Sequence, residues 1–323
     1  MVLEVSPDWE CGENRRSPRP QGPVREGEIN AQTVKMKDAN VIRLSRAAAH
    51  SQVLLTPKPD GTWRFCVDYR RLNDKTRSET WPIPNIPEML ARLGSKRPTV
   101  FGVIDLTKGY YQAPLSESSK HYTAFVTSCA LYEWNRVPMG LMGAPSYFQR
   151  IMSTIVLAGL MYKSCEVYMD DIIVYGRTEE EYLRNLEEVL KRLKKHRLTA
   201  NPKKTKLGLK SIEYVGYRVD HEKVEFDPMR LKKIIEFPEP QTLGNLKKFM
   251  GMASYVRDTV RNAAEYTIPL TELFKGYSKK RKNVQIQWTP ALRTALAKVK
   301  EGINNSQPLF FLDHSGKSPI HLF

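Results

Sequence analysis

Cysteine is scarce in this sequence. The 323 residues include four cysteines, at positions 11, 66, 129 and 165. No two of them form the CxxC pair that commonly marks a zinc site, and their wide separation argues against the disulfide framework of a small secreted domain. We therefore expect neither a zinc–thiolate centre nor stabilising disulfides, and a reducing compartment is the default.

Long apolar runs are missing as well. The best one covers residues 151–161, which is far short of the roughly 20 residues needed to cross a bilayer. The first residues, MVLEVSPDWECGENRR, lack the apolar core of a secretory signal peptide. We therefore expect an intracellular protein with no membrane partner.

Acidic residues are outnumbered by basic ones. The 51 lysines and arginines stand against 35 aspartates and glutamates, which gives a formal net charge of +16 at pH 7. So large an excess predicts a polyanionic partner, nucleic acid before a membrane surface. Hydrophobic residues make up 41% of the chain, which fits a folded globular protein. Its length of 323 residues suits about two domains, or one multi-lobed domain with a sizeable core.

Apolar periodicity is absent from one segment of the chain and clear in another. Residues 1–33 have none and are rich in proline, glycine, arginine and glutamate, a composition that predicts a flexible leader. At 178–198, leucines recur at helical spacing and predict an amphipathic helix. The four that define its apolar face are Leu183, Leu186, Leu190 and Leu193.

Two further segments carry hairpin signals. In residues 51–73, two runs rich in β-branched and aromatic residues flank the turn Pro-Asp-Gly at 59–61. Lys58 and Arg64 stand on either side of that turn, so two cations are predicted near the hairpin tip. The stretch SIEYVGYRV at 211–219 predicts the second hairpin.

Two carboxylates interrupt the apolar stretch CEVYMDDIIVYG at residues 165–176. The flanks are typical of strands, so Asp170 and Asp171 are predicted to form the tip of a hairpin. Asp-Asp suits such a tip poorly, because the central residues favour positive φ and the like charges repel each other. An ordinary hairpin tip is one interpretation; a bound cation that offsets the repulsion is the other.

A third carboxylate, Asp105, ends the apolar stretch TVFGVID. Mg²⁺ prefers such oxygen ligands and is usually held by one or two carboxylates together with substrate phosphates. Two such ions about 4 Å apart can stabilise the attacking and leaving oxygens of a phosphoryl displacement. A strand ending in Asp105 beside the hairpin of Asp170 and Asp171 would create this site, although spacing alone does not require it.

Six motifs in a fixed order resemble one family. They are TPKPDGTWRFCVDYRRLN, VIDLTKGYYQ, MGLMGAPSYFQRIM, VYMDDIIVYG, LTANPKKTKLG and YVGYRV. Together they are similar to the reverse transcriptase, or RNA-directed DNA polymerase, of gypsy-type LTR retrotransposons (Metaviridae), a relative of retroviral polymerases. The resemblance runs from Asn40 onward. It implies an α+β, right-hand polymerase fold of fingers, palm and thumb, with an antiparallel palm sheet flanked by helices.

The resemblance implies roles for individual residues. Asp105, Asp170 and Asp171 become the catalytic, metal-binding carboxylates. Lys204, which has Lys203 beside it, becomes the lysine that protonates the leaving pyrophosphate. The residues implied to hold the nucleotide are Lys58, Arg64, Leu106, Tyr110 and Gly140. Those implied to form the primer grip are Tyr214, Val215, Gly216 and Tyr217.

Within the nucleotide-binding set, each residue has its own implied contact. Lys58 and Arg64 match the fingers cations that hold the triphosphate, and charge-assisted contacts to phosphate are strong ones. The backbone of Leu106 faces a metal. Tyr110 lies under the incoming sugar and excludes a 2′-hydroxyl, and Gly140 packs beside the nucleotide and template.

Cofactors, partners and location follow from the same resemblance. It implies two Mg²⁺ ions, with Mn²⁺ as a substitute, and as substrates dNTPs and a primed RNA or DNA template. Other parts of a retrotransposon polyprotein, ribonuclease H and integrase, are the implied protein partners. The implied location is a cytoplasmic particle or the nucleus.

The resemblance also implies a domain layout. After the leader at 1–33 we expect the first part of the fingers at 34–98, the palm with the remaining fingers at 99–225, the thumb at 226–275 and the start of a connection region at 276–323. The sequence stops at GKSPIHLF, before the point where ribonuclease H begins in the family. We therefore expect an isolated polymerase with the start of a connection, either a truncated genomic copy or a fragment of a polyprotein.

One motif departs from the family pattern. The sequence has Met142 and Gly143 where the family usually has Thr and Asn, which bears on template handling and fidelity more than on catalysis. The implied function is template-directed DNA synthesis by two-metal nucleotidyl transfer. The alternatives are a catalytically inactive, nucleic-acid-binding remnant of a retrotransposon polyprotein and a structural subunit that needs a larger partner.

Overall fold

The computed structural model of the chain describes residues 1–10, 14–15, 17–77, 80–275, 283–306 and 308–311. A π-helical turn, Met152–Val156, follows one of the helices directly. In chain order the helices are α1 (Pro23–Asp38), α2 (Arg70–Lys75), α3 (Ile86–Ser95), α4 (Gly109–Gln112), α5 (Glu117–Lys120), α6 (Ala144–Ile151), α7 (Glu179–Lys195), α8 (Pro228–Ile235), α9 (Leu243–Tyr255), α10 (Ala263–Glu272) and α11 (Pro290–Asn304).

The strands form small, mainly antiparallel sheets. In chain order they are β1 (Glu4–Val5), β2 (Ile42–Leu44), β3 (Ser51–Pro57), β4 (Trp63–Asp68), β5 (Thr76–Arg77), β6 (Val100–Asp105), β7 (Phe125–Val126), β8 (Leu131–Trp134), β9 (Cys165–Tyr168), β10 (Asp171–Gly176), β11 (Lys206–Leu209), β12 (Ile212–Tyr214), β13 (Tyr217–Val219), β14 (Lys223–Phe226) and β15 (Leu309–Phe310). Their sheet orders are β1-β5, β11-β6-β10-β9, β12-β13-β14-β15 and β2-β8-β7-β3-β4.

The chain divides into two compact units. The first unit comprises Met1–Asn85, Gly102–Tyr175 and Glu180–Leu207, and the second comprises Ile86–Phe101, Gly176–Glu179 and Gly208–Phe323. The predicted boundaries of fingers, palm and thumb stay predictions, and much of the predicted connection region at 276–323 lies outside the described residues. In the part of the chain that the structure describes, no helix has both the length and the apolar character needed to cross a membrane.

The predicted hairpin at 51–73 is confirmed in the first unit. Strands β3 and β4 pair antiparallel with Leu54 opposite Cys66 and Pro57 opposite Trp63. Inward residues of β3 alternate with outward ones along the strand, as expected of a sheet with one face packed on the core. Gly61 adopts φ 77° in the connecting turn, a conformation that glycine takes without steric cost.

Among the described residues of the predicted flexible leader at 1–33, some are buried or helical. Trp9 is 2% exposed, and α1 begins within this segment with a proline in its first turn. The helix buries Ile29, Thr33 and Met36. That face is only one residue wide, and one of its three members is polar, which explains why no apolar period is apparent in the sequence.

Helix α7 confirms the predicted helix, but its buried face is not the one predicted. Leu186 and Leu193 are buried, whereas Leu183 and Leu190 are 60% and 43% exposed. The stripe is completed by buried residues one position earlier in each turn, Tyr182 and Val189. Tyr182 joins the buried stripe because its hydroxyl packs closely against Gly102. A Cβ added at Gly102 would lie 2.4 Å from that hydroxyl oxygen.

Candidate active site

The three aspartates singled out by the sequence come together at one end of the β11-β6-β10-β9 sheet. Strand β6 ends at Asp105 and its neighbour β10 begins at Asp171. Burial raises the pKa of Asp171 to about 6, with further contributions from the charges of Asp170 and Asp105. Because β6 and β10 are hydrogen-bonded neighbours, their pairing places Asp105 beside the hairpin that carries the other two. The charges of the three carboxylates therefore act on one another.

The hairpin tip lies one residue earlier than predicted. Asp171 pairs with Tyr168 across β9 and β10, so the two turn residues are Met169 and Asp170 rather than Asp170 and Asp171. Met169 takes the positive φ that such a turn demands, at 58°. Non-glycine residues seldom adopt this conformation, and it is commonest where function or surrounding structure enforces it.

Lys204 contacts the first of these aspartates. Its Nζ lies 3.1 Å from Oδ2 of Asp105. The segment that carries it is anchored to the same strand end, because the Asn201 amide donates to the Asp105 carbonyl at 2.7 Å. Lys204, rather than the adjacent Lys203, is thus the lysine that faces the acidic cluster, and its ammonium offsets part of the local negative charge.

Tyr110 lies near the acidic hairpin. Its ring meets that of Phe148 edge-on, with centroids 5.3 Å apart. Burial, and then the charge of Asp170, raises its pKa to about 12. The preceding residue, Gly109, leaves room for this approach, since a Cβ there would lie 3.2 Å from Cβ of Asp170. An aromatic ring is therefore held next to the carboxylates by close packing.

The donor set suits a hard divalent cation in its chemistry. Within the described residues no group of three or more His, Cys, Asp or Glu side chains has the spacing of a formed metal site. Three neighbouring carboxylates are nevertheless the ligand type that Mg²⁺ prefers. The raised pKa of Asp171 reports burial and repulsion, and a bound cation would relieve the repulsion. The ligand types therefore suit such an ion.

The predicted triphosphate-binding cations lie in the β3–β4 hairpin. Lys58 donates from Nζ to the Thr62 hydroxyl at 3.0 Å, and Arg64 is exposed and opposite Thr56 in the register. Asp60 also accepts from the Thr62 amide at 2.9 Å. These contacts stay within the hairpin, so a meeting of the two cations with a nucleotide remains a prediction.

Two further predicted nucleotide-binding positions are defined by their backbones. Leu106 is buried and forms an isolated bridge with Ala200, which fixes the strand end just beyond Asp105. Gly140 has φ 97°, a conformation that side-chain-bearing residues rarely adopt. Its carbonyl accepts from Nδ2 of Asn73 at 2.9 Å.

The predicted primer grip is a hairpin of the second unit. Strands β12 and β13 pair with Tyr214 opposite Tyr217, which confirms the hairpin predicted at 211–219. The turn residues Val215 and Gly216 both have positive φ, at 48° and 85°. Positive φ at both central positions defines a type I′ turn, the connection that suits the natural twist of a two-residue hairpin.

Comparison with known proteins identifies the family. Residues 56–219 match the model described as "Reverse transcriptase (RNA-dependent DNA polymerase)". The chain belongs to the reverse transcriptase family. Its relatives include the Retrovirus-related Pol polyproteins of the Drosophila melanogaster transposons opus and gypsy. The opus protein is 36% identical over 269 residues, 82% of this chain and 26% of that protein. The gypsy protein is 33% identical over 254 residues, 77% of this chain and 24% of that protein.

These figures place the chain among gypsy-type reverse transcriptases, as the ordered motifs predict. The chain spans about a quarter of the length of these curated relatives. Among solved structures, the foamy viral protease-reverse transcriptase in complex with dsDNA matches with a TM-score of 0.83 at 22% identity, over 98% of this chain and 66% of that one. That likeness confirms the predicted α+β, right-hand polymerase fold.

Two residues of this candidate site are not indicated by the sequence. Gln149 of α6 is 1% exposed; it donates to the Val167 carbonyl at 3.0 Å and accepts from the Met169 amide at 2.8 Å. It therefore braces the tip of the acidic hairpin. The available signal was a polar residue directly after Phe148, on the buried face of an apolar helical pattern.

Asn73 is the second. Besides its bond to the Gly140 carbonyl, its Oδ1 accepts from the Met142 amide at 2.9 Å. One side chain thus holds both ends of the short loop that contains Gly140. Asn73 ends the motif TPKPDGTWRFCVDYRRLN, but nothing in the sequence indicates which backbone groups its side chain binds.

Proposed function

We propose that this chain is an RNA-directed DNA polymerase that extends a primer on an RNA or DNA template. The primer 3′-hydroxyl oxygen attacks the α-phosphorus of a dNTP, a new phosphodiester bond forms, and the bond to the β-phosphate oxygen breaks to release pyrophosphate. The observation that carries the proposal is the pairing of β6 with β10, which sets Asp105 beside the hairpin of Asp170 and Asp171, in a member of the reverse transcriptase family.

Divalent metal ions are the proposed cofactors, as is general for this family. Asp105 and Asp170, supported by Asp171, would hold two Mg²⁺ ions, with Mn²⁺ as a substitute. Bound there, such ions supply charge stabilisation for the attacking and leaving oxygens. The carboxylates would fix where the ions bind, because Gln149 and the β6–β10 pairing hold these side chains in place.

Other residues of the first unit have proposed roles in holding the nucleotide. Tyr110 forms a rigid floor for the sugar, since its ring is held by Phe148. Lys58 and Arg64 bind the triphosphate by charge-assisted contacts. Lys204 gives a proton to the leaving pyrophosphate, a role supported by its position 3.1 Å from Asp105. General acid catalysis of this kind needs the donor within reach of the leaving oxygen.

Nucleic acid and polyprotein partners complete the proposal. The net charge of +16 supports a polyanionic substrate. One solved relative is the foamy viral protease-reverse transcriptase in complex with RNA/DNA hybrid, which matches with a TM-score of 0.76 at 24% identity, over 95% of this chain and 41% of that one. Because the curated relatives are Pol polyproteins, ribonuclease H and integrase segments are the proposed protein partners.

Primer extension on poly(rA)/oligo(dT) with Mg²⁺ or Mn²⁺ tests the proposal. We expect the wild-type chain to extend the primer and Asp170→Asn to lose at least about 100-fold in rate, with duplex binding retained. Asp38→Asn is the matched control, because it removes the same charge from an exposed position at the end of α1, and it should extend the primer at the wild-type rate.

Two results would contradict the proposal. Full activity of Asp170→Asn would refute the site assignment. A folded wild-type chain that binds duplex but extends no primer with either ion would instead match the inactive remnant, which the retained trio of carboxylates does not favour.

A further inference from the structure

The turn of the β12–β13 hairpin contains a residue that is unsuited to its conformation. Val215 has φ 48°, in the left-handed region. Such a value is a genuine outlier for a β-branched residue, whose side chain crowds its own backbone there. Asn-Gly is the sequence that type I′ turns favour, so Val215 must be held by contacts from outside the turn.

Those contacts come from the end of α9 and the start of α8. The Tyr255 hydroxyl donates to the Val215 carbonyl at 2.5 Å. The Asp227 amide donates to the Gly216 carbonyl at 3.2 Å. Both turn residues are thus tied through their carbonyl oxygens, and only one of the ties, the Tyr255 hydroxyl, depends on a side chain.

Tyr255 is itself held in place by aromatic packing. Its ring lies edge-on to Phe226, with centroids 5.6 Å apart, and is tilted against Tyr217 at 5.5 Å. Both neighbours belong to strands of the same sheet. A ring fixed on two sides presents its hydroxyl in one direction, so it can act as a rigid clamp on the Val215 carbonyl.

Arg230 closes the other face of the turn. A Cβ at Gly216 would lie 2.1 Å from its Nη1, so the guanidinium lies directly over the glycine. The same group lies 5.8 Å from the centre of the Tyr255 ring. The turn is therefore enclosed between a tyrosine and an arginine that also contact each other.

We propose that Tyr255 is a positioning residue that holds the Val215–Gly216 turn in its left-handed conformation and thereby aims the turn's backbone at the primer terminus. The aim at a primer rests on the proposed function and on the primer grip that the family resemblance implies for this turn. The clamp itself rests on contacts within the second unit alone, so the two parts can fail separately.

Amide hydrogen exchange of the full chain tests the clamp without any requirement for activity. Tyr255→Phe removes the hydroxyl and keeps the ring, and we expect exchange of the Tyr217 and Asp227 amides to accelerate about tenfold. Adding Val215→Asn should restore protection to within about threefold, because Asn-Gly adopts this turn without a clamp. Tyr266→Phe removes a hydroxyl from α10 and should leave these amides unchanged.

Single-turnover primer extension tests the positioning. In Tyr255→Phe we expect the extension rate at saturating dNTP to fall about tenfold, while the Kd for the primed template changes by less than about threefold. The Val215→Asn double variant should recover the rate. Recovery separates control of turn shape from a direct contact between the phenol and the duplex.

Each measurement decides one part of the proposal. Unchanged hairpin exchange in Tyr255→Phe overturns the clamp, and so does faster exchange that Val215→Asn does not correct. Weaker template binding at an unchanged extension rate overturns the positioning role. A wild-type chain with no extension refutes the proposed function and with it the aim at a primer, while the exchange data still decide the clamp.

Discussion

Gln149 braces the acidic hairpin, and replacing it with methionine removes that brace while keeping the length of the side chain. The amide is 1% exposed and bonds to two backbone groups, the Val167 carbonyl and the Met169 amide. Methionine can bond to neither. Both backbone groups would then lack a partner, in a place that water does not readily reach.

The magnitude follows from the burial of the two groups. A buried polar group without a partner costs about 1–3 kcal/mol. The bond to Val167 is buried, whereas that to Met169 is partly buried, so water can replace part of the second. We expect Gln149→Met to lower the free energy of unfolding by about 2–4 kcal/mol. Gln149→Glu should lose at least as much, because its buried carboxylate has no donor for the Val167 carbonyl and is itself a buried charge.

Urea unfolding followed by far-UV circular dichroism measures this loss. The matched control is Gln241→Met, which makes the same chemical change at an exposed glutamine and should stay within about 0.5 kcal/mol of wild type. Exchange of the Met169 amide should accelerate in Gln149→Met alone. A Gln149→Met variant as stable as Gln241→Met would refute the idea that this amide holds the hairpin tip.

Three further predictions concern packing and ionisation in the first unit. Gly102→Ala should lower the free energy of unfolding by about 1–3 kcal/mol, since the new Cβ would lie 2.4 Å from the Tyr182 hydroxyl. Removing that hydroxyl with Tyr182→Phe should recover part of this loss, as measured by urea unfolding. A Gly102→Ala variant as stable as wild type would contradict the tight fit. Burial, and then the charge of Glu166, raises the pKa of Cys165 from 9.0 to about 12. Iodoacetamide at pH 8 should therefore label the exposed Cys129 at least about 100-fold faster than Cys165. Equal labelling of the two cysteines by mass spectrometry would refute the burial of Cys165. In the folded state the Cys165 thiol keeps its proton between pH 9.0 and about 12, whereas the thiol of the unfolded chain loses it. The contribution of this thiol to stability therefore falls as the pH rises through that window. Cys165→Ala should not show this loss.

Local pattern was sufficient for several elements. The β3–β4 hairpin follows from β-branched runs around Pro-Asp-Gly, and α7 follows from its leucine spacing, since both signals lie within a few residues of one another. The details that failed depend on packing partners. The buried face of α7 is shifted because Tyr182 fits against Gly102, and the acidic hairpin turns at Met169 because pairing sets Asp171 opposite Tyr168.

The sequence by itself determined the chemistry that this protein can offer: three carboxylates at strand ends, basic residues in excess, and a glycine where a tight turn needs one. These are properties of residue types and short spacings, which are present before the chain folds. Only the tertiary structure decided that Asp105 lies beside Asp171, that Lys204 rather than Lys203 faces them, and that Gln149 and Tyr255 hold strained turns. The reason is physical, since these contacts join segments distant along the chain, and strand order and register, not local preference, bring them within bonding distance.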